Sequence, residues 1–207
     1  MKDIGKEMYD WATDLFPINR SLTGDGVRQT LQYIKNIVPE LEVNEVPSGA
    51  KCFDWKIPQE WNCNDGYIID PDGNKICDFK TNNLHIVGYS TPIDSEIELE
   101  ELIEHLYYLK EQPTAIPYIT SYYSPRWGFC LSFNEFQKLK KGTYKVKINS
   151  ELKDGNLTYG EIKIKGESEK EIFLSTYVCH PSMANNELSG PVVTTALVNF
   201  IKSLKAR

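Results

Sequence analysis

The stretch from Glu171 to Gly190 constrains the fold of this 207-residue chain more than any other part. A short apolar, β-branched run (172–178) ends just before His180, and a polar loop follows. The next apolar segment, Pro191 to Leu204, is predicted to be a helix. In open α/β sheets a strand, a ligand-bearing loop and a helix follow one another in this order, and ligands bind at the carboxyl ends of the strands. We therefore predict an α/β fold with its chemistry in the loop after His180.

Three side chains of that loop suit a metal ion. His180 stands at the end of the predicted strand, and Asn186 and Glu187 directly precede the predicted helix. An imidazole combined with side-chain oxygens is a ligand mixture that zinc accepts. Each residue also has a structural reading, because a lone histidine is more often structural, Glu187 suits the positive end of a helix, and Asn186 suits an N-cap. Both readings stay open at this point.

Composition argues against several classes of protein. The formal net charge is -6 and no block of five or six like charges occurs, so neither a nucleic-acid nor an anionic-membrane partner is expected. No run approaches the ~20 apolar residues that span a bilayer, and Met1–Trp11 lacks the apolar core of a signal peptide. We expect a cytoplasmic protein. The five cysteines form no Cys-x-x-Cys pair, and Cys179 is expected to point away from His180, as neighbours on a strand do.

The patterns along the chain predict a body formed by its two ends and an insertion between them. The body (1–50 and 142–207) carries the α/β elements, and the inserted domain (51–141) is β-rich. Predicted helices cover 4–15, 27–38, 97–109, 134–140 and 191–204; predicted strands cover 41–46, 143–148, 157–165 and 172–178, with a β-hairpin around 71–73.

Four segments in this order resemble one bacterial family. They are 16–28 (FPINRSLTGDGVR), 83–90 (NLHIVGYS), 124–130 (SPRWGFC) and 179–190 (CHPSMANNELSG). Together they resemble polysaccharide-biosynthesis proteins with an aminopeptidase-like domain. The resemblance implies an α/β fold: a three-layer, mixed-sheet body like that of the di-zinc exopeptidases, here incomplete, with an inserted small β-rich α+β domain.

The same resemblance implies a zinc site of one or two ions. It makes His180 a ligand and places the bridging aspartate of the family on Asn186, with Glu187 beside it as the alternative oxygen donor. The aspartate that orients the histidine falls on Ser182. The general base and the remaining ligands would lie downstream of Arg207, so no catalytic residue is assigned in this chain. We expect the N-terminal part of a zinc-dependent hydrolase, inactive as a peptidase by itself.

Further candidates lie in the predicted insertion. His85, on a predicted alternating strand, is a candidate substrate contact, although a solvated or hydrogen-bonded histidine is the commoner case at such a position. The pair Arg126 and Trp127 is a second candidate contact, which packing explains equally well. The expected partners are a peptide or amide-bearing small substrate and a second copy, through an exposed sheet edge. The alternative function is a non-catalytic binding or scaffold protein that keeps the exopeptidase fold without its metal chemistry, which the amide at position 186 favours.

Overall fold

The computed structural model describes residues 3–204, so residues 1, 2 and 205–207 of the predicted body lie outside the described residues. The chain divides into two units. The first combines Met1–Ile57 with Gly155–Arg207, and the second is Pro58–Asp154.

Five α-helices and ten strands occur in the described residues. The helices are α1 (Ile4–Leu15), α2 (Asp25–Ile37), α3 (Leu99–Leu102), α4 (Phe133–Phe136) and α5 (Ser189–Ser203). The strands are β1 (Glu42–Pro47), β2 (Lys51–Cys52), β3 (Trp55–Lys56), β4 (Glu60–Ile69), β5 (Lys75–Ile76), β6 (Ile93–Glu98), β7 (Leu106–Tyr107), β8 (Phe129–Cys130), β9 (Thr143–Lys153) and β10 (Asn156–Glu161). None of the described helices is long and apolar enough to cross a bilayer.

The first unit packs its helices around two apolar clusters. The spacing of apolar residues on α2 turns Val27, Leu31 and Ile34 to one side, where they meet Leu41 and the partly buried Ile162 and Val178. The second cluster joins α1 to α5 through Leu15, Leu188 and Val192. Strand β1 pairs antiparallel with β10, and β2 and β3 form a short hairpin. The strand predicted at 41–46 and the first two predicted helices are confirmed.

The second unit is built on a four-stranded antiparallel sheet in the order β5-β4-β9-β6. Buried and exposed residues alternate along β9, so that Tyr144, Val146 and Ile148 face the core. The predicted hairpin is confirmed, because Ile69 of β4 pairs with Lys75 of β5 across the turn, where Gly73 has a φ of 85°. A short parallel pair, β7 with β8, lies in the same unit.

The pairing shows that one predicted helix is wrong and that one predicted strand, which is confirmed, belongs to the second unit. The helix predicted at 97–109 is only the four residues of α3, followed by a 3₁₀ turn at Ile103–His105, because Leu106 continues into β7 and pairs with Phe129. The strand predicted at 143–148 exists as β9 but pairs with β4 and β6. The second unit therefore runs from 58 to 154, whereas the predicted insertion covered 51–141.

The strand predicted at 172–178 is wrong. Residues 162–183 form neither helix nor strand, and Ile172 and Phe173 are 93% and 87% exposed. A strand exists through hydrogen bonds to a neighbour, and no segment of the described chain pairs with this run. The run still packs against the start of α5, because a Cβ on Gly190 would lie 2.1 Å from Thr176 Oγ1. The fold is thus mixed α/β with small sheets, and the three-layer body stays a prediction.

Candidate metal site

The loop between His180 and α5 is fixed by a short π-helical turn, Ala184–Leu188, that leads directly into α5. In this turn Glu187 N donates to Met183 O at 2.8 Å. Leu188 is 1% exposed and packs on Leu15 of α1. Single π-helical turns are frequent at functional sites because they alter where the following side chains point. Here the turn buries Glu187, which is also 1% exposed.

Glu187 contacts His180 through both carboxylate oxygens. The backbone N of His180 donates to Oε1 at 2.9 Å, and Nδ1 of the ring lies 2.7 Å from Oε2. The side chain of Glu187 is 0% exposed, whereas that of His180 is 23% exposed. A fully buried carboxylate therefore supports a partly exposed imidazole.

Arg20 contacts His180 at its main-chain carbonyl group. Its Nε donates to the carbonyl oxygen of His180 at 3.0 Å, and a terminal nitrogen donates to Leu15 O at 2.6 Å. Burial lowers the pKa of the Arg20 guanidinium to about 10, while the nearby charge of Glu187 acts in the opposite direction. The structure thus shows Arg20 bonded to two main-chain carbonyl oxygens.

Cys179 completes a cluster around the imidazole. Its Sγ lies 3.4 Å from His180 Nδ1, so the prediction that the two side chains point to opposite faces is wrong, since this part of the chain is not a strand. Burial raises the pKa of the Cys179 thiol to about 12, and the Glu187 charge adds to the effect. Cys179, His180 and Glu187 therefore form a group of three possible metal ligands among residues 3–204, and their ligand atoms all lie within 4.8 Å of one another.

The other two residues of the predicted site point elsewhere. Asn186 is exposed, and its Oδ1 accepts a hydrogen bond of 3.4 Å from the Tyr177 hydroxyl. The Tyr177 ring contacts the His180 ring edge to face at 5.3 Å. Ser182, with a φ of 31°, donates to Phe16 O at 3.0 Å and does not orient the histidine. The structure thus brings His180 and Glu187 together and leaves Asn186 at the rim.

The donor set fits a zinc ion. A partly exposed imidazole offers a nitrogen ligand that zinc takes, and a buried carboxylate supports the imidazole from behind. The exposed Asn186 offers an amide oxygen on the same loop. A neutral amide at position 186 supplies one useful oxygen, where a carboxylate would supply two charged ones. The described residues therefore fit part of a metal site.

The three candidate substrate contacts lie in the second unit. His85 is 6% exposed, belongs to a 3₁₀ turn instead of the predicted strand, and its Nδ1 lies 2.7 Å from Cys130 O. Arg126 donates to Thr120 O at 3.0 Å. The Trp127 ring stacks on His105 with 3.6 Å between ring centroids. His85 is thus a buried structural histidine, while substrate contact by Arg126 and Trp127 stays a prediction.

Comparison with known proteins gives two consistent matches. The model of a family described as a domain of unknown function, DUF4910, matches residues 9–207. A protein of Clostridium acetobutylicum, provisionally named a polysaccharide biosynthesis protein with an aminopeptidase-like domain, is 47% identical over 205 residues. That alignment covers 99% of this chain and 47% of the relative, so the chain spans about half the length of the curated relative.

Two solved structures are similar to this chain. A crystal structure from Clostridium acetobutylicum, provisionally described as a peptidase, has a TM-score of 0.94 and 48% identity, over 97% of this chain and 47% of that chain. An aminopeptidase from Aneurinibacillus sp. strain AM-1 is 13% identical with a TM-score of 0.36, over 96% of this chain and 59% of its own. The second similarity is too low for site residues to be compared.

Proposed function

This chain belongs to the DUF4910 family, and we propose that it is the N-terminal part of a zinc-dependent, aminopeptidase-like hydrolase. The relative of Clostridium acetobutylicum supports the aminopeptidase-like part of this proposal through its name. The contact of 2.7 Å between His180 Nδ1 and Glu187 Oε2 carries the proposal for zinc, because a buried carboxylate behind an imidazole is the usual support of a metal-binding histidine.

The residues of this chain would hold the metal and orient it. His180 would be a ligand, and Asn186 would contribute a neutral oxygen from the rim of the loop. Bound zinc would act as a Lewis acid on an amide carbonyl. The name of the relative suggests an amide-bearing sugar or a peptide linked to a glycan as the substrate class. No described residue of this chain is proposed as the general base.

A binding or scaffold protein is the second candidate, and one observation favours it. Asn186, where the family resemblance places a bridging aspartate, is exposed and bonded to Tyr177. An amide at this position weakens a two-metal site, because it brings no charge to the cations. A protein that kept the fold and lost the metal would show this replacement.

Zinc titration by calorimetry separates the two candidates. We expect one zinc ion per chain, lost in His180→Ala and retained in the matched control His105→Ala, because His105 belongs to the second unit. Asn186→Asp is expected to tighten zinc binding by roughly tenfold, since it restores a charged oxygen at the rim. Absence of zinc from the parent chain and from Asn186→Asp would overturn the proposal that this chain binds zinc and would favour the binding protein.

A further inference from the structure

His180 is held at three points by two buried charged side chains. Arg20 binds its carbonyl oxygen, while Glu187 accepts from its backbone N and contacts ring Nδ1. Arg20 and Glu187 are each 1% exposed, so water does not compete for these contacts. The backbone and the ring of His180 are therefore fixed by side chains that lie far apart in sequence.

We propose that Glu187 and Arg20 are positioning residues: Glu187 fixes the His180 tautomer with the proton on Nδ1, and Arg20 fixes the peptide that carries it. The second half of this assignment, that Nε2 then binds the metal, rests on the proposed function. The first half does not. A carboxylate oxygen is a hydrogen-bond acceptor, and the distance of 2.7 Å is that of a hydrogen bond, so this assignment places the proton on the ring nitrogen that faces Glu187.

The geometry distinguishes this role from direct ligation by Glu187. Two ligands at about 2.0–2.2 Å from one tetrahedral zinc lie roughly 3.3 Å apart. His180 Nδ1 and Glu187 Oε2 are 2.7 Å apart, which is the length of a charge-assisted hydrogen bond. The second oxygen of Glu187 is also engaged, because it accepts from the His180 backbone. The carboxylate that the family resemblance makes an alternative metal ligand instead stands behind the histidine.

Arg20 contributes from the turn between α1 and α2. Its side chain donates to both His180 O and Leu15 O, so it links the end of α1 to His180. The charge of Glu187 in turn acts on Arg20, where it favours the charged guanidinium. Arg20 therefore acts on the imidazole only through the peptide of His180 and through Glu187.

Nitrogen NMR of the histidine rings tests the tautomer without metal or activity. The chain has three histidines, and His180→Asn assigns the signal of the third. In metal-free protein at roughly pH 8, we expect Nδ1 of His180 to carry the proton and Nε2 to carry the lone pair. A proton on Nε2 would overturn the proposal.

Glu187→Gln gives a sharper test because it changes charge and hardly changes shape. The one carbonyl oxygen of glutamine must accept from the His180 backbone N, so its NH₂ group faces Nδ1 and donates. The tautomer should then switch to a proton on Nε2. The matched control is Glu171→Gln, an exposed carboxylate, which should leave the tautomer unchanged. An unchanged tautomer in Glu187→Gln would contradict the assignment.

Zinc addition then separates this proposal from the proposed function. We expect zinc to perturb the Nε2 signal, and we expect the zinc affinity to be about 10- to 100-fold lower in Glu187→Gln and about tenfold lower in Arg20→Lys. These results would support both the positioning role and the zinc site. A protonated Nδ1 with no zinc bound supports the positioning role and removes the metal site. Zinc bound through Nδ1 and lost in Cys179→Ser would keep a metal site and overturn the positioning role.

Discussion

The two units of the chain differ in the interactions that hold their residues in place. In the second unit, β9 is paired on both sides, with β4 from Glu60↔Lys153 to Ile69↔Lys145 and with β6. In the first unit, β1 pairs with β10, whereas the run 171–177 is exposed and pairs with no strand among the described residues. His180 follows that run and is nevertheless held, because it accepts a hydrogen bond from Arg20 and donates one from its backbone N to Glu187.

This difference shows that a site can be ordered without a sheet beneath it. Backbone ladders determine positions in the second unit, so they depend on many residues that each contribute little. Direct contacts with two buried charged side chains hold His180, so a single substitution at either of them should disturb the site. Substitutions should therefore act on the two units in different ways, and the following experiments measure this.

The largest expected effect is on the core of the second unit. Ile148 of β9 is 1% exposed and Ile172 of the irregular run is 93% exposed. Ile148→Ala should lower the free energy of unfolding by about 2–5 kcal/mol, because it leaves a cavity. Ile172→Ala should change it by less than about 0.5 kcal/mol. Urea denaturation of both variants checks this, and equal effects would contradict the contrast between the units.

A second experiment concerns the exposed run itself. Its apolar side chains and its lack of a strand partner in the described residues favour pairing between copies of the chain. Phe173→Lys should weaken self-association by roughly tenfold, or about 1.4 kcal/mol. Phe53→Lys is the matched control, because Phe53 is 99% exposed on the β2–β3 hairpin of the same unit. Sedimentation at several concentrations would show a monomer throughout if this expectation is wrong.

The smallest effect concerns a helix cap in the second unit. Ser132 caps α4 in a capping box with Glu135, so Ser132→Ala should cost about 1 kcal/mol of stability. Partial burial pulls the Glu135 pKa upward, but the hydrogen bonds from Ser132 outweigh it and hold the pKa below its usual value.

The depressed pKa gives this cap a pH dependence. A carboxyl whose folded pKa is lowered stabilises the fold above its unfolded pKa, near 4.3, and loses this contribution as pH falls through the folded value. Stability of the parent chain should therefore fall more steeply in acid than that of Ser132→Ala. Thermal unfolding between neutral pH and about pH 3 measures both curves, and parallel curves would argue against a role for the cap.

The sequence predicted local elements well and the surroundings of the site poorly. The amphipathic spacing of α1 and α2 and the turn at 71–73 depend on neighbours in sequence, and these predictions are confirmed. The run 172–178 has the composition of a buried strand, but pairing depends on other segments, which local composition does not specify. The contacts of Arg20 with His180 and of Cys179 with the imidazole ring were missed for the same reason.

The hydrogen bond from Arg20 to His180 joins residues 160 positions apart. Such a contact forms only after most of the chain has been synthesised, because the ribosome delivers the N-terminal end first. The second unit is complete in sequence by Asp154 and can begin to fold while Arg20 still lacks its partner. The candidate site is therefore expected to assemble after the second unit, and its formation reports that both ends of the first unit have met.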